Sequence, residues 1–466
     1  MTACFGIIRI KKVFEIKPKT SDCLHAFVRE GDFFTWLSVV IMGSGCFRFR
    51  RFGKGLLYLG LQIGYWVYLK CFGMKYLRHI GTLGENTQLK VWDEALQIYR
   101  RTPGDNSLLI LLFSIFTLVI TLLYLYLWFL NIRETGKLCL LRKAGKPMDT
   151  LGDEVKSLLD ERFHLTLLSA PMTTLLLFTA LPILFMMLLA FTNFDSAHQP
   201  PGALFTWTGM KNVTDIFLGD SVKTRTFFGI LGWTLIWAVL ATFTNYILGM
   251  GLAMLINHKL VRWKKLWRTL FIISIAIPQF VSLLLISRAL ESAGAVNVLL
   301  MKLHLIDAPL PFLTDPTLAR ICVVVINMWV GIPYTMMTFS GVLMNIPAEL
   351  YESAEIDGAG PVRRFVSITL PYMMFVTAPA TITTFVSNIN NFNVIYLLTG
   401  GGPFSLDYYQ AGKTDLLVTW LYKLTVNQHE YSLASTIGIF IFLIVSTASL
   451  IVYNRTAAVQ KEDMFQ

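Results

Sequence analysis

The stretch "IPAELYESAEIDGAGPVRRFVSITLP", Ile346–Pro371, sits between two long apolar runs and is not itself apolar. It holds four acidic residues, two arginines and two glycines. Pro347 suits a helix start, because its fixed φ fits the first turn. "AELYESAEI" then supplies helix formers and sets Glu349, Glu352 and Glu355 three residues apart, along one side. Acids in the first turns are favoured by the positive end of the helix dipole. Gly358, Gly360 and Pro361 end the helix and permit a sharp turn. A face carrying this much charge cannot enter lipid. The segment reads as a short helix held outside a membrane between two spans. It is either an element shaped to be gripped by a partner or an ordinary amphipathic loop helix.

The rest of the chain supplies the membrane. Of 466 residues, 55% are hydrophobic and 15% charged, against about 25% charged in a soluble domain. The apolar residues come in long blocks, and a block of roughly 20 crosses a hydrocarbon core about 30 Å thick. Eight spans are expected, near 53–72, 107–130, 166–192, 227–255, 269–290, 318–345, 371–393 and 432–454. A ninth apolar patch, 33–47, is short and contains Gly43, Ser44 and Gly45, so it is expected as an interfacial or partly buried helix. The net charge of +11 gathers beside these blocks, as membrane topology requires, and not along a nucleic-acid groove. The N-terminus is basic and has no long apolar core, so no cleavable signal peptide is expected. The six cysteines form no CxxC pair and no metal-spaced cluster.

Lysines and arginines set the orientation. "CFRFRRFGK", "NIRETGKLCLLRKAGK" and "NHKLVRWKKLWR" are the richest basic clusters beside spans, and eight spans put all three on one side. The positive-inside rule makes that side cytoplasmic. Both termini and the Ile346–Pro371 segment then face the cytoplasm. The basic loop 73–106 falls outside in this scheme, against the rule.

The sequence has no GxxxxGK[ST] phosphate loop, no HExxH, no GxSxG and no carboxylate pair in a span. No catalytic and no metal-ligating residue is assigned. Polar residues do recur within spans. Thr377, Thr381, Thr384, Asn388 and Asn391 follow at three- or four-residue steps in the seventh, with Ser387 beside them. Asn327, Gly331 and Tyr334 share a face of the sixth. Such groups at membrane depth face a cavity or other helices. Amides, hydroxyls and a ring without charges suit neutral sugars, and interhelical hydrogen bonding without a ligand suits them equally.

The Ile346–Pro371 segment resembles the EAA loop of permease subunits of binding-protein-dependent ABC importers. Glu352-Ser353-Ala354, then Gly358, Ile368 and Leu370-Pro371 stand at that family's spacing, with Ser353 in place of the first alanine. The resemblance implies that this helix inserts into a cleft on a separate cytoplasmic ATPase. Glu352, Ser353, Ala354, Asp357, Gly358 and Ala359 would form the coupling element.

From about Gly232 onward the chain is similar to the larger, MalF-like permease subunit of maltose-type importers, through "FLTDPTLAR", "NMWVGIPY", "LYESAEIDGAGP", "NNF", "LLTGGGP" and "TDLLV". The N-terminal third matches more loosely. It has extra spans before a six-span core and no large extracytoplasmic domain, as in Gram-positive members with a lipid-anchored binding protein. The resemblance implies an all-α integral membrane fold of about eight transmembrane helices: a six-helix type I ABC importer core with a cytoplasmic EAA coupling helix. It divides the chain into 1–106, 107–165, the core 166–454 with its EAA loop 346–371, and a cytoplasmic tail 455–466.

Carried over residue by residue, the sugar site falls on Asn327, Val330, Gly331, Tyr334, Thr384, Ser387, Asn388 and Asn391, with Gln279 and Ile275 in the fifth span. The last two depart from the family's small hydroxyl and aromatic residue, which points to an oligosaccharide related to maltose and leaves its identity open. The implied partners are a second, MalG-like permease subunit, two ATPase copies and an extracytoplasmic sugar-binding lipoprotein, besides membrane lipid and no nucleic acid. This chain would hold no cofactor, ATP and Mg being bound by the ATPase subunits, and would be a multi-pass protein of the bacterial cytoplasmic membrane. A polyol or aminosugar importer of the same build is the nearest alternative. An ion-coupled secondary transporter lacks a well-placed intramembrane acid, and a membrane enzyme lacks a catalytic constellation.

Overall fold

The computed structural model describes residues 20–455 except 95, 146, 147, 149, 220 and 259. The basic N-terminus and, but for the Arg455 backbone, the expected tail 455–466 lie outside the described residues. The chain forms two compact units: one runs to Met186 and takes in Pro200–Thr206, the other holds Met187–Gln199 and everything from Trp207 onward.

In the first unit, α1 (Thr20–Glu30), α2 (Phe33–Leu37) and α3 (Ser44–Arg48) lead into α4 (Phe52–Tyr68), a π-turn (Leu69–Gly73) and α5 (Met74–Leu77). A two-stranded hairpin follows, β1 (Lys90–Asp93) against β2 (Ile98–Arg101), then α6 (Ser107–Lys143), α7 (Leu151–Leu159) and α8 (Phe163–Leu175). A π-turn at Leu176–Ala180 joins α8 to α9 (Leu181–Leu189).

The 33–47 patch is not one continuous helix: its middle is a turn whose backbone groups are satisfied by side chains. Asn131 donates to the Ser38 carbonyl at 2.9 Å and accepts from the Gly43 amide at 3.0 Å. Trp128 donates to the Val39 carbonyl at 2.7 Å. Gln62 donates to the Val40 carbonyl at 2.7 Å and accepts from the Met42 amide at 2.8 Å. Phe33, Phe34, Trp36, Val40 and Ile41 stay exposed around it, as an interfacial element requires. Below it, Arg51 reaches Glu154 at 3.0 Å, and Lys54 reaches both Glu134 and Glu154 at 2.8 Å. Burial raises the Glu154 carboxyl, but the hydrogen bonds and charges of Lys54 and Arg51 outweigh it and hold the group below the ordinary range.

The second unit continues with α10 (Lys211–Phe217), α11 (Val222–Asn257), α12 (Lys264–Ala276), α13 (Gln279–Ala289), α14 (Ala295–Lys302) and α15 (Pro316–Met344). After these come α16 (Ala348–Ile356), α17 (Pro361–Arg364), a π-turn (Phe365–Thr369), α18 (Leu370–Ile389), α19 (Phe392–Thr399), α20 (Leu417–Tyr422), another π-turn (Lys423–Asn427) and α21 (Tyr431–Arg455). Helix α11 is the centre. Its Trp233, Trp237 and Ala241 pack with Val323 and Ile326 of α15 and with Val394, Ile395 and Leu398 of α19. Further along, Met250 and Ala253 pack with Met336 and Phe339 of α15 and Met373 of α18.

Among the described residues, six helices are long and apolar enough to span a membrane: Ser107–Lys143, Phe163–Leu189, Val222–Asn257, Pro316–Met344, Pro361–Thr399 and Tyr431–Asn454. They fall on six of the eight expected runs. The run near 269–290 is present as α12 and α13, bent by 84°. Pro278 stands at that break, where it can neither donate to a preceding carbonyl nor leave Ile277 helical. The run near 53–72 is helical, but it carries Gln62 and Lys70 and is not among the six.

Candidate functional site

The expected coupling helix is α16, and its end is built as the glycine spacing demands. Gly358 has φ +73°, in the left-handed region. The Ala359 amide donates to the Ala354 carbonyl at 2.8 Å, and the Gly358 amide donates to the Glu355 carbonyl at 3.1 Å. This bond pair is a Schellman motif, which stops a helix and turns the chain sharply. The turn leaves Glu352, Ser353, Asp357 and Gly358 exposed, with Ala354 and Ala359 half-buried. Ile356 is 87% exposed, and Leu350, Val362 and Val366 are exposed with it. Acidic and apolar groups therefore share one uncovered corner. A Cβ on Gly358 would meet nothing within 4 Å in this chain.

The expected sugar residues divide by burial. Asn388 is buried and donates to Thr242 of α11 at 3.0 Å, while its carbonyl accepts from Trp237 at 3.0 Å. Thr377, on the same stripe, is buried and pairs with Tyr246 of α11 at 3.0 Å. Asn391 is half-buried; its oxygen caps α19 by accepting from the Val394 amide at 3.3 Å, and its amide reaches Asn388 at 3.5 Å. Thr384 and Ser387 are exposed, as are Tyr334 and Ile275, and Val330, Gly331 and Gln279 are half-buried. The structure thus ties Asn388 and Asn391 together, while no hydrogen bond links Gln279 or Tyr334 to the stripe among the described residues.

Helix α11 contributes side chains that the sequence reading did not single out. Thr242, Asn245 and Tyr246 lie on one face, and their three- and four-residue spacing was the available signal. Gly331 lets α15 approach so closely that a Cβ there would overlap the Asn245 amide. Asn245 Oδ1 and Asn327 Nδ2 are both buried without a hydrogen-bond partner. Asn327 thus keeps a buried donor that its packing does not satisfy.

The loop from α19 to α20 is dense. Asp415, fully buried, accepts from Lys423 at 2.6 Å, from the Gly412 amide at 2.7 Å and from Thr419 at 2.8 Å. Burial pushes its carboxyl up, and these donors pull against it. Arg320 of α15 donates to the Lys413 carbonyl at 3.0 Å and lies 4.7 Å over the Trp233 ring. On this platform Phe404 is exposed and Leu406 fully so.

An uncovered acidic–apolar corner after a span fits a transporter subunit that works with other chains. The chain matches the family described as "Binding-protein-dependent transport system inner membrane component" over residues 245–458. It is 33% identical over 425 residues to the galactooligosaccharides transport system permease protein GanP of Bacillus subtilis (strain 168), covering 91% of this chain and 97% of that protein. It is 34% identical over 435 residues to the maltodextrin transport system permease protein MdxF of the same organism, covering 91% and 96%. The maltose/maltodextrin transport system permease protein MalF of Escherichia coli (strain K12) is 35% identical over 269 residues, 57% of this chain and 52% of that protein. Among solved structures, a bacterial ABC transporter involved in the import of the acidic polysaccharide alginate shares the fold, with a TM-score of 0.52 at 22% identity over 65% of this chain and 97% of that one.

The chain belongs to the family of binding-protein-dependent transport system inner membrane components. It is a MalF-like permease subunit of an ABC sugar importer and a multi-pass protein of the cytoplasmic membrane.

Proposed function

We propose that this chain carries an oligosaccharide across the membrane by alternating access, driven by a separate ATPase that docks on α16. The observation that carries this reading is the corner at Gly358. A helix stopped by a Schellman turn leaves Glu352, Ser353 and the 87%-exposed Ile356 uncovered. Clustered exposed apolar groups are the anchors of an interface. Closure of two ATPase copies on ATP would push α16 and open the core outward, and hydrolysis would reset it. A second permease subunit would complete the pathway. An extracytoplasmic binding protein would deliver sugar, received in part by the Phe404 and Leu406 platform.

In this reading the termini and α16 face the cytoplasm. Asn327, Gly331, Tyr334, Thr384, Ser387, Asn388 and Asn391 contact the sugar, with Val330 and Gln279 at the margin. Maltodextrin and galacto-oligosaccharide are the favoured cargoes, as they are named for relatives of nearly equal identity.

The test is affinity purification of the tagged chain from its native membrane, with a photo-crosslinker at position 352. Recovery of a second permease, and an ATPase joined at Glu352, is the expected result. Recovery of the chain alone, with no crosslinked ATPase, would overturn the coupling reading.

A further inference from the structure

We propose that Tyr351 and Thr369 form a brace that makes α16 and the base of α18 move as one body. Both are then positioning residues for the transport stroke. The inference rests on the reading of α16 as the docking element. It concerns how a push on that helix reaches the core.

Among the described residues, two side-chain ties join α16 to the segment that leads into α18, one ending in α17 and one at the last residue of the π-turn. One is the ion pair from Arg364 to Glu355 at 2.9 Å. The Glu355 side chain is 70% exposed, so water and salt screen this pair and it holds little. The other is the hydrogen bond between the Tyr351 and Thr369 hydroxyls at 2.8 Å. Tyr351 is half-buried and Thr369 is only 4% exposed, so water competes far less for this bond.

Its position matters as much as its burial. Thr369 is the last residue of the π-turn Phe365–Thr369. A π-turn interrupts the regular α-helical ladder and is a place where helices bend. The chain between α16 and this turn also contains Gly358, at φ +73° with open space around it. A load on α16 would therefore be absorbed by swinging about Gly358 and bending at the π-turn. The Tyr351–Thr369 bond bypasses both soft points, because it runs from α16 directly to the far end of the turn. What lies beyond is stiff. Leu370 and Met373 pack against Met336 and Phe339 of α15 and Met250 and Ala253 of α11. One turn on, Thr377 is bonded to Tyr246 of α11.

The experiment is hydrogen–deuterium exchange on the complete transporter in detergent or nanodiscs, with and without ATP plus vanadate. It needs no knowledge of the sugar. In the wild type, nucleotide should change exchange over both Ala348–Ile356 and Leu370–Ile389. Tyr351→Phe should keep the change in the first segment and reduce that in the second roughly five-fold, the population shift one net hydrogen bond carries. Thr369→Val should do the same, the double variant should be no worse than either, and Thr369→Ser should behave as wild type. The brace is overturned if Tyr351→Phe leaves both responses intact, or weakens both in equal proportion as a general loss of stability would. If the wild-type coupling helix itself shows no response to nucleotide, the docking reading fails and the brace fails with it.

Discussion

Two corners of the second unit are built around a glycine of positive φ, and they solve opposite problems. Gly358 at φ +73° ends α16 with nothing around it. Gly401 at φ +81°, just past the Gly400 cap of α19, sits against a buried ion pair, where a Cβ would overlap the Asp415 carboxylate. The Gly401 corner is internally complete: Asp415 takes three donors, and the Thr414 hydroxyl donates to the Gly402 carbonyl at 2.5 Å. The Gly358 corner is complete only in its backbone, and its side chains stand uncovered. The Gly401 corner is crowded and the Gly358 corner is clear.

The largest effect that tests this contrast is expected from Gly401→Ala. Left-handed backbone strain adds to the disruption of a buried ion pair, together about 3 to 5 kcal/mol. The protein should fail to accumulate in the membrane on immunoblotting, and normal accumulation would break the contrast at its stronger side. Gly358→Asp should do the reverse. Strain there is about 1 kcal/mol, so membrane levels hold, while sugar uptake is abolished. Uptake at wild-type levels would remove the coupling role.

A smaller and more selective effect is expected from Asn388→Ala combined with Asn391→Ala. These residues join the polar stripe to α11 and α19, so the ratio of maltotriose to galactotriose uptake should shift roughly ten-fold while ATP hydrolysis persists. An unchanged ratio would return the stripe to a packing role. The smallest effect belongs to the first unit. The Glu154 carboxyl is held below its ordinary pKa of 4.5, so its stabilisation is present above that value and lost as pH falls through the lowered one. Glu154→Gln should reduce thermal stability at neutral pH by on the order of 1 kcal/mol. In melting curves the difference from wild type should vanish at acid pH.

Much of this was legible before any coordinates. Apolar blocks locate six of the eight expected spans, with helix ends that run up to about a dozen residues past the apolar block, because hydropathy is summed along the chain and marks the apolar stretch, not the helix end. The Glu352–Gly358–Pro371 spacing locates α16 and its turn, because capping is local. The 33–47 patch reads as non-spanning from its glycines, although Asn131, Trp128 and Gln62, which hold its turn, are unmarked in the sequence. The β1–β2 hairpin was not foreseen. Strands such as "KVWD" and "IYRR" are too short and mixed for periodicity to register. The carried-over sugar positions gave no sign that Asn388 would be buried against Thr242 while Thr384 and Ser387 stayed open.

The sequence by itself therefore determined the class of protein, the place of six of the eight expected spans, and the α16 helix with its Gly358 turn. Each of these depends on residues within a few turns of one another. Tertiary structure alone decided the close approach of Gly331 to Asn245, the Asp415–Lys423 knot beside Gly401 and the Tyr351–Thr369 hydrogen bond. Their energies come from burial and approach between separate elements, which no stretch of chain carries alone.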